Sequence, residues 1–431
     1  MRILFVQKDL YERSIGGSEY YEHHLARALT PRHELCVLCT NSKLDPEAGP
    51  RLRVLDDVPI VEVAPNNELY PASRRERAVL TTFRDLLQRF APEVVHVQDL
   101  VRLSPEIPRI ARRSHVPVVH TLHEYYFICP RLILRTTEDR LCAGPSIRGC
   151  ARCGRNMARR RYAFTRIPDE PWTAWGKRQA KTLAQRWTAE AYLALARRRQ
   201  FLRAAQDVDL LLCPTAFLRD RLCDAGVSSS KMRIVRYGLS DLGEPRPKTP
   251  AQRVRFAFVG TIAPHKGIFV LLEAARAVAD ADFTIYGPLP SPIASEVQLR
   301  VAELPNVKLA GILTDDAKAE AYASIDALVV PSIWYENQPI SILEAFHFRT
   351  PVVASRLGGM KEIVEDGGGW LVAPEDPRAL AEHLRHLSAR RDEILAMARS
   401  IPAVETMSSQ ARIVEGIYEE VVDAVARGSE R

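Results

Sequence analysis

The sequence of 431 residues contains no long apolar run. None approaches the roughly 20 consecutive apolar residues that a membrane-spanning helix needs, which excludes a transmembrane span. The start, Met1–Asp9, has too short an apolar stretch for a secretory signal peptide and is typical of a first strand. Short-period repeats and low-complexity tracts are absent as well. Without an export signal, the eight cysteines favour reduced thiols, and we expect a cytoplasmic protein.

What is present is an ordinary globular composition, with 46% hydrophobic and 26% charged residues. A chain of this length is expected to form two or three domains, each with enough apolar residues for a core.

Short apolar strands alternate with helical patterns along the whole chain, which predicts βαβ units and parallel sheets covered by helices. The polar, proline-rich segment Ser240–Pro250 is typical of a linker. We therefore predict an α/β protein of two doubly wound, Rossmann-like domains, residues 1–241 and 242–407, facing a central cleft. Ligands are expected at the carboxyl ends of the strands. The predicted strands are Ile3–Gln7, Glu34–Thr40, Val94–Gln98, Val116–Leu122, Leu210–Cys213, Arg233–Tyr237, Arg255–Gly260, Phe283–Gly287, Val307–Gly311, Ala327–Pro331, Val352–Ser355 and Gly369–Val372.

We predict an insertion in the first domain at about residues 129–203, because this segment is much longer than a normal crossover between strands. Its first part is loop-like and rich in cysteine. Its second part, Lys177–Arg203, is rich in Ala, Leu, Gln and Arg, which predicts a helix.

Two glutamates, Glu336 and Glu344, flank the start of a predicted helix that follows the buried strand Ala327–Pro331. Pro339 is favoured at a first helical position. The unpaired amides of such a first turn form a natural phosphate site. Most glutamate pairs are solvated. Here the surroundings favour a sugar nucleotide, with Glu336 at the mouth of the cleft and Glu344 placed to accept the hydroxyls of a ribose.

A second loop, Phe258–Gly267, follows a strand and precedes a helix. A lysine at the tip of such a loop, here Lys266, can reach a diphosphate as a point charge. The alternative is a solvated lysine after a turn. The presence of the Glu336 segment in the same chain favours the diphosphate interpretation over this alternative.

Two further features come from the first half. Gly16 and Gly17 lie between the first strand and the helix Tyr20–Leu29, where paired glycines allow backbone amides to approach a phosphate or sugar. His123 closes a strand, so it can donate a hydrogen bond to a substrate or handle a proton. A turn and a structural histidine are the plainer alternatives.

Four of the eight cysteines, Cys129, Cys142, Cys150 and Cys153, occur within 25 residues. Four thiolates would bind a structural zinc ion, usually with Cys-x2-Cys pairs, of which only one is present. Structural zinc and unligated, reduced cysteines both stay open.

The insertion is strongly basic. Residues 155–203 contain 13 Arg and Lys against 3 Asp and Glu, whereas the whole chain has a net charge of +7. Three of the five tryptophans, Trp172, Trp175 and Trp187, lie there. A solvated face is the usual outcome. Contact with an anionic membrane surface is the second interpretation and nucleic acid the third, since no nucleic-acid module accompanies the charge.

Four of these motifs resemble family 4 retaining glycosyltransferases of the GT-B fold and occur in the family's order. They are the Gly16–Gly17 loop, the His123 segment, the Lys266 loop and the segment with Glu336 and Glu344. The likeness covers nearly the whole chain. It implies an acceptor-binding first domain and a nucleotide-sugar-binding second domain, with a last helix of about residues 408–431 returning to the first. The cysteine-bearing loop after His123 also resembles a subset of this family.

The resemblance implies roles for individual residues. His123 and Glu336 would act on the donor sugar at the reacting centre, and Glu344 would hold the ribose. Lys266 would neutralise the diphosphate. The remaining donor-binding residues would be Gly16, Gly17, Thr261, Asn337, Gln338, Pro339 and Ile340. No metal or cofactor is expected in the chemistry.

Thr261 is a departure, because many members carry an arginine at this position, five residues before the lysine. Either another cation substitutes, for instance from the arginine-rich stretch, or the phosphate is held less tightly.

We therefore expect a retaining glycosyltransferase that moves a sugar from a nucleoside diphosphate to a hydroxyl of a glycan, polysaccharide or lipid-linked acceptor. It would act in the cytoplasm or at the inner face of the membrane. Two alternatives stay open: a catalytically silent GT-B module that binds nucleotide or membrane, and a nucleotide-sugar epimerase using Glu19 and Glu124.

Overall fold

The computed structural model describes residues 1–13, 16–45, 47, 49–66, 74–129, 131–162 and 195–429. It contains two β-sheets flanked by helices, so the predicted doubly wound α/β architecture is confirmed. Every strand predicted from the sequence is present, and several are shorter than predicted.

The first sheet has eight strands in the order β3-β4-β2-β1-β5-β6-β7-β8. All neighbours are parallel except β3 and β4, which are antiparallel. Strand order reverses beside β1, which creates a crevice at the carboxyl ends of β1 and β5. The strands are β1 (Arg2–Gln7), β2 (Glu34–Thr40), β3 (Arg51–Leu55), β4 (Val58–Val63), β5 (Val94–Val97), β6 (Val118–Thr121), β7 (Leu210–Cys213) and β8 (Met232–Ile234).

The second sheet has six strands, all parallel, in the order β11-β10-β9-β12-β13-β14. Its central strands are buried on both faces, which explains their continuous apolar sequences. The strands are β9 (Arg255–Val259), β10 (Asp282–Tyr286), β11 (Val307–Gly311), β12 (Ala327–Val330), β13 (Val352–Ser355) and β14 (Gly369–Val372).

Helices cover both sheets. They are α1 (Gly17–Leu29), α2 (Arg74–Arg89), α3 (Ile107–Arg113), α4 (Ile147–Tyr162), α5 (195–207), α6 (Ala216–Asp224), α7 (Ile268–Ala277), α8 (Ser291–Ala302), α9 (Asp315–Ala323), α10 (Ile340–His347), α11 (Gly358–Glu365), α12 (Pro377–Ala389), α13 (Arg391–Arg399) and α14 (Met407–Ser429).

The last helix, α14, returns from the second sheet to pack against α1 of the first. The hydroxyl of Tyr418 lies 2.5 Å from Nδ1 of the buried His96. Gln410 donates to the Tyr21 hydroxyl at 3.0 Å, and its Oε1 accepts from the amide of Gly238. These buried contacts hold α14 against the crossing between the two sheets.

The insertion contributes a short hairpin around Arg135 and Leu141, followed by α4 and α5. Residues 163–194, with the three clustered tryptophans and much of the basic stretch, lie outside the described residues. Within the described ranges, no helix combines the length and apolar character that crossing a membrane would require.

Candidate functional site

A cleft of about 380 Å³ lies between the carboxyl ends of the two sheets. The loops after β1, β6, β9, β10 and β12 line it, together with the first turns of α1 and α10. All the catalytic and donor-binding residues named from the sequence border this one cleft: Gly16, Gly17, His123, Thr261, Lys266, Glu336, Asn337, Gln338, Pro339, Ile340 and Glu344. Residues more than 300 positions apart therefore share one site, although their individual roles remain predictions.

Glu336 is 5% exposed, and its carboxylate is held by three donors. Lys266 Nζ lies 2.6 Å from Oε1, and Ser332 Oγ and the Trp334 indole nitrogen each donate to the same oxygen at 2.8 Å. The Lys266 ammonium also lies 5.2 Å from the centre of the Trp334 ring. Because an ammonium has three N–H groups, Lys266 can bind a second anion while it stays paired with Glu336.

The position of Lys266 depends on the turn that follows it. Residues Pro264–Lys266 form a single 3-10 turn, and Gly267 has a φ of 77°, in the left-handed region that favours glycine. A Cβ on Gly267 would overlap the carbonyl oxygen of Pro331 at the end of β12. This close approach brings the Lys266 loop beside the segment that carries Glu336.

The first turn of α10 faces the cleft without a side-chain cap. Pro339 is the residue before the helix, not its first residue as predicted; its ψ of 121° is extended. The Ile342 amide donates to the Pro339 carbonyl at 3.1 Å. The two amides before it, of Ile340 and Ser341, begin the helix, where amides have no intrahelical partner, so they can donate to an anion. Across the cleft, a Cβ on Gly17 would lie 3.6 Å from Ile340, which shows how closely the starts of α1 and α10 approach.

Glu344 lies one turn inside α10 and is 5% exposed. Its Oε1 accepts a hydrogen bond of 2.7 Å from Lys318 of α9, and the Tyr322 hydroxyl lies 3.5 Å from Oε2. Lys318 also donates to Asp315 at 2.6 Å. Burial lowers the pKa of Lys318, but Glu344 and Asp315 outweigh it, so the pKa is raised and the lysine stays charged.

Sequence reasoning missed Lys318. A single lysine in the first turn of a helix is usually solvated, and no local pattern pairs it with a glutamate 26 residues later. Its ammonium lies 5.2 Å from the ring centre of Tyr20 in α1, so it contacts both halves of the molecule.

Thr261 lines the cleft as expected and brings no charge to it. Among the described residues of the cleft wall, the cations are Lys8, Lys266 and Lys318, and no arginine joins them. One alternative for Thr261 is a substitute cation, for instance from the arginine-rich stretch of residues 155–203. Residues 163–194 of that stretch lie outside the described residues, and no described residue of it lines the cleft.

Both ring nitrogens of His123 are hydrogen-bonded. Nδ1 lies 2.7 Å from the Tyr237 hydroxyl, and Nε2 lies 3.0 Å from Oε1 of Gln98. Burial lowers its pKa to about 3, and the neighbouring His96 and Lys8 add to this. His123 is therefore a neutral, fixed ring at physiological pH.

The side chains of Asn337 and Gln338 join the two halves. Asn337 Nδ2 donates to the His123 carbonyl at 2.7 Å, and Gln338 Oε1 accepts from the Tyr237 amide at 2.7 Å. The helix start and the histidine loop are thus tied directly to each other, and these two side-chain atoms are already engaged.

A charged group lies at the end of β1, on the side of the cleft that belongs to the first sheet. Lys8 Nζ is 3.5 Å from Glu19 and Asp99 and 3.8 Å from Glu124. Burial raises the pKa of Asp99 to about 7, with Lys8 opposing the shift and Glu124 adding to it. Burial also raises the pKa values of Glu22 and Glu124. This wall can accept hydrogen bonds from a hydroxyl-rich molecule.

Of the two interpretations of the four cysteines, structural zinc gains no support from the described residues. In the described part of the chain, which includes Cys129, Cys142, Cys150 and Cys153, no three His, Cys, Asp or Glu side chains form a group able to hold a metal ion. All four cysteines are free thiols. The Cys142 thiol instead donates to the Gly144 carbonyl at 3.2 Å.

Two family models match the chain. The model described as Glycosyltransferase Family 4 matches residues 15–240, and the one described as Glycosyl transferases group 1 matches residues 253–390. The first match alone covers more than half of the chain.

Individual relatives agree with this assignment. The D-rhamnosyltransferase WbpZ of Pseudomonas aeruginosa is 29% identical over 186 residues, which are 40% of this chain and 48% of the relative, so the match spans about half of that protein. The MMP alpha-(1->4)-mannosyltransferase of Mycolicibacterium hassiacum is 26% identical over 430 residues, covering 95% of this chain and 96% of the relative.

The fold has a solved counterpart in Anabaena Alr3699/HepE in complex with UDP-glucose, with a TM-score of 0.58 at 16% identity. That likeness covers 100% of this chain and 99% of the other chain, which confirms the GT-B fold. With the family match over residues 15–240, the conclusion is that this chain belongs to glycosyltransferase family 4.

Proposed function

We propose that the protein is a retaining glycosyltransferase that moves a sugar from a nucleoside diphosphate to a hydroxyl of a glycan, polysaccharide or lipid-linked acceptor. The observation that carries the proposal is the meeting of Lys266, Glu336 and Glu344 around the uncapped start of α10. A sugar nucleotide consists of a hydroxylated sugar, a diphosphate and a ribose, and these groups fit in that order from Glu336 through Lys266 to Glu344.

The donor would be bound mainly by the second half. Lys266 and the first amides of α10 neutralise the diphosphate, while Glu344 accepts hydrogen bonds from the ribose hydroxyls. Lys318 orients Glu344 through its 2.7 Å bond. Gly16 and Gly17 close over the phosphates from the first half, and Thr261 borders the same space. A donor related to UDP-glucose is supported by the ligand of the HepE structure.

The chemistry is a substitution at the anomeric carbon of the sugar. The bond from this carbon to the diphosphate oxygen breaks, and a bond to the acceptor oxygen forms on the same face. The acceptor proton passes to a phosphate oxygen of the leaving group. Lys266 and the α10 amides stabilise the charge that develops on the diphosphate, so no metal ion is required. Glu336 orients the sugar while its ring gains positive charge. The neutral His123 ring, with both nitrogens bound to Tyr237 and Gln98, borders the same space.

The acceptor would enter from the first sheet, beside the Lys8 group. Carboxylates there suit the hydroxyls of a sugar. The net charge of the insertion and its tryptophans support an anionic membrane surface as the place where a lipid-linked acceptor is met.

The test is to incubate the purified protein with a panel of nucleoside diphosphate sugars and to follow the anomeric signals by NMR. We expect transfer or slow hydrolysis of one donor, with the anomeric configuration retained. Lys266→Ala should lower the rate by about 100-fold or more, since it removes a preorganised cation from the leaving group. Lys308→Ala, at an exposed position in β11, is the matched control.

An inverted product would overturn the retaining mechanism. A wild-type protein that consumes no donor, yet binds one, would favour the silent module, for which the uncharged Thr261 is the supporting feature.

A further inference from the structure

We propose that the hairpin of residues 134–142 in the cysteine-bearing insertion is a positioning element for the donor sugar, acting through Arg135 on the loop that carries Glu336. The hairpin is closed by bonds from the Thr136 amide to the Arg140 carbonyl and from the Cys142 amide to the Leu134 carbonyl, both 2.8 Å. Arg135 and Leu141 pair across it. It is a defined element projecting from the first half of the molecule.

Arg135 is 1% exposed and its guanidinium is bound on every side. Nη1 donates to the carbonyl oxygen of Ile333 and to Glu375 Oε1, the latter at 2.7 Å. Nε donates to Asp139 Oδ1 at 2.9 Å, and Nη2 donates to the Asp139 carbonyl. Ile333 and Glu375 belong to the second half, so this buried arginine bridges the cleft.

Ile333 is the point at which the bridge acts on the site. Its amide donates to the His265 carbonyl at 2.9 Å, which ties it to the residue before Lys266. Its neighbours Ser332 and Trp334 are two of the three residues that donate to Glu336 Oε1, the third being Lys266. Holding the Ile333 carbonyl therefore holds the two neighbouring donors to Glu336, whereas the Lys266 loop keeps its own support from the Gly267 turn against Pro331.

Trp334 adds a second link to the first half. It is 8% exposed and belongs to the same apolar cluster as Leu134 and Tyr125. Glu336 itself lies in a loop between β12 and α10, where no regular structure fixes the backbone. A binding group must be held within about 0.5 Å of its productive position, and here the hairpin of the first half adds to the support that the three donors to Glu336 give from the second half.

The sugar and the ribose of the donor are then held by groups that depend on different parts of the molecule. The hairpin supports the group proposed to bind the sugar. Glu344 and Lys318, proposed to serve the ribose, lie on α10 and α9 and bind each other, and among the described residues neither forms a hydrogen bond or ion pair with the hairpin. Loss of Arg135 should then weaken recognition of the sugar and leave recognition of the nucleotide intact.

The inference rests on the proposed function and is tested by calorimetric binding of a nucleoside diphosphate and of the matching nucleoside diphosphate sugar. The readout is the ratio of the two dissociation constants. We expect Arg135→Gln to reduce the advantage of the sugar-bearing ligand by about tenfold while the affinity for the nucleoside diphosphate changes by less than about twofold.

Two further variants serve as a control and as a substitute. Arg236→Gln removes a largely exposed pair with Asp366, 2.6 Å apart, which also joins the two halves but does not contact the Glu336 loop; it should leave the ratio unchanged. If Arg135→Gln fails to fold, Glu375→Gln removes one partner of Arg135 and should shift the ratio in the same direction.

The outcomes are distinguishable. The role of the hairpin is overturned if the wild type favours the sugar-bearing ligand and Arg135→Gln has the same ratio of dissociation constants. Where Arg135→Gln does not fold, the same result in Glu375→Gln overturns it. Failure of the wild type to bind either ligand overturns the proposed function instead. A parallel fall in both affinities for Arg135→Gln, at unchanged thermal stability, also contradicts selective support of the sugar.

Discussion

Single residues in the cleft have roles that depend on partners far away in the sequence. Glu336 and Glu344 stand out in the sequence because they flank a recognisable helix start. Lys318 does not, because it becomes part of the site only when α9 packs beside α10. Thr261 brings no cation to the cleft. Lys318 does bring one, from another element, and its ammonium lies 2.7 Å from Glu344.

The group around Lys8 predicts a pH-dependent stability. Burial raises the pKa of Asp99 from the ordinary 3.8 to about 7. Between these values the folded protein holds a proton that the unfolded chain has lost, so stability falls as pH rises through this window. Asp99→Asn removes the group that titrates there. The variant should gain stability relative to the wild type as pH rises from 5 to 8.

Urea unfolding at pH 5, 6.5 and 8 measures this difference. Asp280→Asn, at an exposed position, serves as the control and should leave the pH profile of the parent unchanged. A difference between Asp99→Asn and wild type that is the same at all three pH values would refute the buried, proton-binding state of Asp99.

At the scale of elements, the strands were predictable because buried parallel strands are continuous apolar runs. The hairpin β3–β4 was missed. β3 is an edge strand with Arg51 and Arg53 in its sequence and Leu52 exposed, so it lacks both the apolar run and a buried face. Its turn is made by Asp56 and Asp57, which both have positive φ, a geometry that sequence patterns usually mark with Asn-Gly or Asp-Gly.

The turn before α7 carries a prediction of its own. Gly267→Ala would place a side chain in the left-handed region and against the Pro331 carbonyl, at a cost of about 2–5 kcal/mol in the free energy of unfolding. The Lys266 loop should shift with it, so donor binding should weaken as well.

Gly416→Ala is the matched control for this substitution. No atom lies within 4 Å of a Cβ at Gly416, which is inside α14, so alanine there should stabilise the protein by about 0.5–1 kcal/mol. Chemical unfolding of both variants measures the contrast. Equal stability of the two would contradict the close approach of the Lys266 loop to β12.

At the scale of the whole molecule, the sequence predicted two sheets and the cleft between them, because alternating strands and helices place ligand sites at the strand ends. It did not predict the contacts that hold the halves together. Arg135 and Glu375 are 240 positions apart, and Asn337 and the His123 carbonyl are 214 apart. Such pairs arise from tertiary packing and leave no local pattern. Close spacing along the chain likewise does not decide between structural zinc and unligated thiols, and in the described residues the four cysteines form no group able to hold a metal ion.

The central claim is that this cleft binds a nucleoside diphosphate sugar, and calorimetric titration of such donors tests it most directly. The wild type should bind one donor with a stoichiometry of one. Glu344→Gln should weaken that binding by about 10- to 100-fold, the loss of a charged hydrogen-bond acceptor, while the exposed Glu382→Gln should not. Binding of no donor by the wild type, or equal affinity for wild type and Glu344→Gln, would contradict the account.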